Sequence, residues 1–108
     1  YKEGAYGIRI ENLVTIIDTG KKDADGKALL GFKTLTLAPI DRNLIEPSML
    51  TDGELKWLND YHAEVQKTLL PLLQKKDPGA VDFLKTETAP ISKPEKPSKS
   101  IKINGFFL

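Results

Sequence analysis

The stretch TDGELKWLNDYHAEVQKTLLPLL, residues 51–73, carries the strongest structural signal in this chain of 108 residues. Thr51 and Glu54 have the spacing of a capping box, which predicts that a helix begins here. Pro71 removes one backbone hydrogen bond from that helix, so we expect a kink or break near residues 68–70. The apolar residues recur at steps of three and four and therefore share one helix face: Leu55, Leu58, Tyr61, His62, Val65, Leu69, Leu72 and Leu73.

A second, shorter helix is predicted to start with Asp77 as its cap and Pro78 at its first position. Its apolar face would consist of Ala80, Val81, Phe83 and Leu84, and it should end before Pro90 because the residue before a proline is disfavoured in a helix. The chain continues as ISKPEKPSKS, which reads as an extended, solvated tail. The final IKINGFFL is apolar again.

Two strand patterns precede the helices. β-Branched and alternating residues predict one strand over residues 5–17 and another over residues 29–40, ended by Pro39. The polar residues 18–27 between them contain Asp25-Gly26, a favourable turn pair. An antiparallel hairpin with a loop of about ten residues is the simplest arrangement. The fold class is therefore α+β, with three regions: the end of a sheet (1–40), a helical segment (41–92) and a Pro/Lys-rich tail (93–108).

Composition excludes several function classes. Sixteen basic and fifteen acidic residues give a net charge of +1, which provides no strong field for nucleic acid or an acidic membrane. The chain has no cysteine, which removes disulfides, thiolate catalysis and cysteine-based zinc sites. No apolar run reaches the length of a membrane span. Neither a nucleic-acid nor a membrane partner is expected.

Arg9 and Glu11 form the most notable polar pair. In a strand, alternate side chains point to opposite faces, so these two would share the face opposite Ile8 and Ile10. A buried carboxylate without a partner is costly, so their face must be wet, paired or metal-bound. On spacing alone, a solvent-facing pair on a half-exposed sheet is the favoured interpretation.

His62 and Trp57 each allow two interpretations. His62 could be a metal ligand or a general base, but a lone histidine without a second ligand at helical spacing makes a poor metal site. A histidine at the edge of the core, with its ring nitrogens bonded to backbone or a side chain, is favoured. Trp57 could bind a ligand, although packing at the core edge is the more common role.

Three motifs together resemble a known family. GAYGIRIEN (residues 4–12), LTLAPIDRNLIEPSMLTDGELKWLNDYHAEV (35–65) and TETAPIS (86–92) are similar to the C-terminal end of the Xaa-Pro aminopeptidases, which are pita-bread metallopeptidases. The resemblance implies the C-terminal portion of a pita-bread fold and hydrolysis of the bond between an N-terminal residue and a following proline. It also implies two divalent metal ions, with manganese the expected metal.

The resemblance assigns roles to the polar pair. Glu11 would be the last metal ligand of the family's R-I-E motif and would bridge both ions. Arg9 would pair with a ligand carboxylate and hold it in place. The family's other ligands correspond to positions before Tyr1, so we expect a C-terminal fragment that is inactive alone.

The implied partners are a peptide with proline at its second position, the remaining N-terminal part of the same enzyme, and a second copy in a homodimer. A cytoplasmic location is expected. The alternative is a non-catalytic pita-bread module that binds a peptide or a partner protein. A related prolidase is a third, weaker possibility.

Overall fold

The computed structural model describes residues 1–94. The chain divides into two compact units, Tyr1–Ala38 and Pro39–Leu108. The first unit contains an antiparallel hairpin of β1 (Val14–Lys22) and β2 (Ala28–Thr34). The second contains α1 (Asp52–Lys76) and α2 (Val81–Glu87), with short 3-10 turns at Arg42–Leu44, Pro47–Met49 and Pro78–Ala80. The predicted α+β class, a hairpin followed by a long and a short helix, is confirmed. Most of the predicted tail, residues 95–108, lies outside the described residues.

The predicted strand bounds are wrong. In the first unit Val14 lies opposite Thr34 and Lys22 lies opposite Ala28, so β1 extends through residues 18–22, which were expected in the loop. Residues 7–13 belong to no strand, and β2 ends at Thr34 rather than at Pro39. Beyond Thr34, the Leu35 N–H still donates to the Leu13 carbonyl at 2.7 Å, but Leu13 donates its own N–H to the Thr36 hydroxyl at 2.8 Å, so the regular ladder ends there.

The hairpin tip is short because Asp23 organises it. The Asp23 carboxylate accepts the backbone N–H groups of Asp25 and Lys27, each at 2.9 Å. Gly26 has φ +79°, a left-handed conformation that glycine adopts without strain, as the Asp25-Gly26 turn signal predicts. Between Asp18 and Lys21 the register shifts, so two extra residues of β1 bulge from the ladder. The loop is therefore residues 23–27, about half the predicted length.

Helix α1 begins as its sequence predicts. Thr51 is the N-cap: its hydroxyl accepts the Glu54 N–H, and the Glu54 carboxylate accepts the Thr51 N–H at 2.7 Å. The helix continues through Pro71 to Lys76, so a break near residues 68–70 is excluded. Leu58, Tyr61, His62 and Val65 are buried on its inner face. Leu72, predicted on that face, is 54% exposed.

The core of the second unit lies where α2 and the segment after it meet α1. Leu84, Thr88 and Ile91 are buried alongside the inner face of α1. Asp77 precedes the 3-10 turn at Pro78, but its side chain makes no capping bond, and α2 ends at Glu87, before Pro90. Phe83, predicted in the core, is 65% exposed and lines a shallow groove. No helix within residues 1–94 is long and apolar enough to cross a bilayer.

Candidate metal centre

Arg9 and Glu11 contact each other on the segment that leads into β1. Arg9 Nη1 lies 3.5 Å from Glu11 Oε1, at the limit of a hydrogen bond. Both side chains are largely exposed, 68% for Arg9 and 72% for Glu11. The pair is therefore a solvated ion pair, which agrees with the interpretation favoured on spacing alone. Such a pair contributes little to stability, so its chemistry lies in the accessible carboxylate.

A compact N-terminal turn holds the guanidinium of Arg9. Lys2 and Tyr6 form an isolated bridge, with Lys2 N–H donating to the Tyr6 carbonyl at 2.7 Å. The turn brings Tyr1 against Arg9, whose Nε donates to the Tyr1 hydroxyl and whose guanidinium lies 5.2 Å from the Tyr1 ring centroid. A Cβ at Gly7 would lie 2.0 Å from the Tyr1 ring, so any larger residue there would displace Tyr1 from this position. Sequence reasoning missed Tyr1, because no local pattern predicts a contact made through this turn.

The oxygen chemistry of Glu11 suits a hard divalent cation, which prefers carboxylate ligands. No group of three or more His, Cys, Asp or Glu side chains in residues 1–94 could hold a metal ion. Glu11 can therefore supply one ligand of a larger set, and its role as a ligand stays a prediction, as does the positioning role of Arg9.

His62 lies in the second unit and is fully buried. Its Nε2 accepts the backbone N–H of Ile40 at 3.0 Å, as predicted, but Nδ1 has no hydrogen-bond partner within residues 1–94, so the prediction holds for one ring nitrogen and not for the other. Burial lowers the pKa of His62 below its ordinary value, the Arg42 charge lowers it further, and the Glu87 carboxylate opposes both. Trp57 is 52% exposed and stacks on Tyr61, with ring centroids 5.4 Å apart.

A polar stripe on α1, formed by Asp52, Asn59 and Gln66, bonds to the segment after α2. Gln66 donates to the Thr88 hydroxyl at 2.9 Å. Asn59 both donates to the Ile91 carbonyl at 2.9 Å and accepts the Ile91 N–H at 2.8 Å. Asp52 pairs with Lys93 at 2.6 Å. Sequence reasoning missed this stripe, although its spacing of seven residues places its members on one side of a helix.

Comparison with solved structures places the fold. The chain is similar to the crystal structure of X-prolyl aminopeptidase from Caenorhabditis elegans, with a TM-score of 0.72 and 35% identity over 84% of this chain. That protein is described as a cytosolic enzyme with a di-nuclear active site. The hairpin and helices thus form the C-terminal part of an X-prolyl aminopeptidase pita-bread fold.

Sequence comparison gives the family. The family model for the C-terminal region of peptidase M24 matches residues 28–91, and the chain belongs to this family. Proteins named probable Xaa-Pro aminopeptidase P are similar: 48% identical over 92 residues in Coprinopsis cinerea and 50% over 95 residues in Aspergillus fumigatus. These matches cover 84% and 86% of this chain. The resemblance to the C-terminal part of the Xaa-Pro aminopeptidases is confirmed.

The chain spans 15% and 14% of the length of those two relatives, and 15% of the Caenorhabditis elegans chain. The family match begins at residue 28 and therefore does not include Arg9 or Glu11.

Proposed function

We propose that this chain is the C-terminal part of a Xaa-Pro aminopeptidase and supplies Glu11 to a centre of two divalent metal ions. The observation that carries the proposal is the accessible Glu11 carboxylate beside Arg9, on the segment entering the hairpin. The names of the relatives and the di-nuclear site of the structural neighbour support it. The reaction is removal of an N-terminal residue that precedes proline.

Glu11 would act as a bridging ligand, because two nearby cations need shared anions to offset their repulsion. Two divalent ions held there, with manganese as the expected element, would supply the chemistry that makes water a nucleophile near neutral pH. The carboxylate is suited to bridging since it has two oxygens, and only Oε1 faces Arg9. The other ligands would come from the remaining N-terminal part of the enzyme.

Arg9 would act as a positioning residue. Its guanidinium is a fixed cation, so it compensates carboxylate charge and limits the orientations that a ligand can adopt. The contacts with Tyr1 and Glu11 restrict the guanidinium from two sides. This arrangement favours a role beside the metal ions rather than in direct contact with substrate.

The proposed enzyme has a peptide substrate and a second copy of itself as partners. The substrate is a peptide with proline at its second position, the 108-residue chain alone is inactive, and the complete enzyme is a cytoplasmic homodimer. The inactivity follows because one carboxylate cannot hold two ions.

The deciding experiment is Glu11→Gln in the complete enzyme, with metal content measured by mass spectrometry and activity measured on a proline-containing peptide. Loss of the charged bridge should reduce the bound metal and lower activity by more than about 100-fold. Glu3→Gln is the matched control, because Glu3 is an exposed carboxylate in the same N-terminal segment and has no proposed role. Unchanged metal content and activity in Glu11→Gln would refute the ligand role.

A non-catalytic assembly module is the second candidate. Its support is the apolar face of the hairpin, where Ile16 and Phe32 lie opposite each other and are 64% and 76% exposed. The two candidates separate on the complete protein: an assembly module would bind its partner but contain no stoichiometric metal and cleave no peptide. Peptidase activity that depends on added manganese would eliminate this candidate.

A further inference from the structure

His62 joins the start of the helical unit to the middle of α1. The Ile40 N–H donates to His62 Nε2 at 3.0 Å, across 22 positions of sequence. The ring has no exposed surface. The helical unit begins at Pro39, which has no backbone N–H. The N–H of Ile40 is therefore the first backbone donor of this unit. This bond is therefore a specific attachment of the chain entering the unit.

The hydrogen bond requires a neutral imidazole. Because Nε2 accepts a hydrogen bond from the Ile40 N–H, the single ring proton must be on Nδ1. His62 Nδ1 has no hydrogen-bond partner among the described residues. A second proton on the ring would have to occupy Nε2, where it would face the Ile40 N–H donor directly. Protonation and the Ile40 bond are therefore mutually exclusive.

The charges near the ring do not compensate for an added proton. Arg42, on the 3-10 turn that follows Ile40, opposes a positive charge on the ring. Within residues 1–94, the Glu87 carboxylate at the end of α2 favours that charge, and its effect is weaker than burial and the Arg42 charge. On α1 itself the centroid of the adjacent Tyr61 ring lies 5.9 Å from that of the imidazole.

We propose that His62 is an acid-sensitive latch, which holds Ile40 against α1 while the imidazole is neutral and releases it when the ring is protonated. The inference does not depend on peptidase activity, since every contact lies within residues 39–94. It predicts that the attachment of the segment around Ile40 weakens at mildly acidic pH, while the caps and ion pairs of α1 remain intact.

The sign of the pH effect follows from linkage. The unfolded chain binds a proton at His62 near the ordinary pKa of about 6.5, whereas the folded chain resists it. The contribution to stability is therefore complete above about pH 6.5 and is lost as the pH falls through the lower folded pKa. Glu46, Asp52 and Glu54 have pKa values lowered from 4.5, 3.8 and 4.5, so they act at more acidic pH. The window between about pH 5 and 6.5 isolates His62.

The test is an NMR titration of the untagged 108-residue chain, in which His62 is the sole histidine. We expect the imidazole to titrate at lower pH than it does in the same chain in denaturant. The Ile40 amide resonance should shift with the same midpoint as the ring. An imidazole that titrates at or above the denatured value, or an Ile40 amide that ignores the ring, would overturn the latch.

Two variants provide an independent readout from melting temperatures at about pH 7.5 and about pH 5.5, on either side of the ordinary histidine pKa. His62→Gln retains an acceptor oxygen but cannot titrate, so its melting temperature should change less between the two pH values than that of the wild type. His62→Phe retains a ring without an acceptor, so it should be less stable than the wild type at pH about 7.5, and its melting temperature should also change less between the two pH values. Equal pH dependence in the wild type and His62→Gln would contradict the proposal.

Discussion

The two units of the molecule differ in how they are stabilised. In the helical unit the core is formed by side chains from α1, α2 and the following segment, and His62 and Val65 have no exposed surface. None of residues 1–38 is buried. The hairpin unit is held by its backbone ladder and by the hydrogen bonds of the Asp23 turn. One unit is organised by burial and the other by hydrogen bonds.

This difference bears on function, because the candidate ligand lies in the unit without a core. A two-stranded hairpin is marginal by itself in water. Under the proposed function, the exposed apolar residues Val14, Ile16, Leu30 and Phe32 would be covered by the rest of the enzyme, which would also bring the other metal ligands to Glu11. The helical unit carries its own core and needs no such cover to order α1.

The largest expected effect comes from deleting core volume in the helical unit. Leu84 is 3% exposed, so Leu84→Ala should lower the free energy of unfolding by about 2–5 kcal/mol through lost burial and a cavity. Ile16→Ala is the matched control in the hairpin, where 64% exposure predicts a change within about 0.5 kcal/mol. Denaturation followed by Trp57 fluorescence reports the helical unit, because Trp57 is the chain's sole tryptophan. Equal losses in the free energy of unfolding in the two variants would contradict the difference in burial between the two units.

The difference between the two units also explains how much of the fold can be predicted from the sequence. The start of α1 and most of its buried face depend on residues three or four apart, so local pattern predicts them. The strand bounds depend on pairing between distant residues, and the polar residues 18–22 join β1 because β2 provides partners for them. Phe83 lies on the exposed side of α2, which spacing within a short helix could not resolve.

Even less of the candidate site can be predicted from the sequence. Spacing indicated an exposed pair at Arg9 and Glu11, and the structure contains one. Their proposed roles came only from resemblance to a family. The contact between Tyr1 and Arg9 depends on the N-terminal turn, and the grip of Asn59 on Ile91 joins residues 32 positions apart. Neither follows from a local pattern, because each is set by how distant segments meet.

The next effect concerns Asn59, which bonds both backbone groups of Ile91, and it tests whether polar contacts also stabilise the helical unit. Asn59→Ala would leave the N–H and carbonyl of Ile91 without their partner, and Ile91 is 8% exposed. The expected loss is about 1–3 kcal/mol in the free energy of unfolding, since unpaired buried polar groups are costly. Asn43→Ala is the control, because the Asn43 amide donates to Asp41 within its own exposed turn.

Asn59→Asp refines this test, because it keeps the acceptor for the Ile91 N–H and removes the donor to the carbonyl. It should fall between the wild type and Asn59→Ala in urea denaturation. If Asn59→Ala lowers the free energy of unfolding no more than Asn43→Ala does, the polar stripe on α1 does not stabilise the segment after α2.

The smallest effect is expected at the capping box, which stabilises the helical unit without burial. Thr51→Ala removes the hydroxyl that accepts the Glu54 N–H, at a cost of about 0.5–2 kcal/mol. The Thr51 N–H and hydroxyl bond the Glu54 carboxylate, which lowers the pKa of Glu54 below 4.5. The cap's contribution is therefore complete above pH 4.5 and lost as the pH falls through the lower folded pKa. Glu54→Gln keeps an acceptor oxygen for the Thr51 N–H but cannot titrate, so the wild type should lose helix content more steeply in that acidic range than Glu54→Gln, measured by circular dichroism. Parallel acid transitions would place the acid sensitivity of α1 elsewhere than its cap.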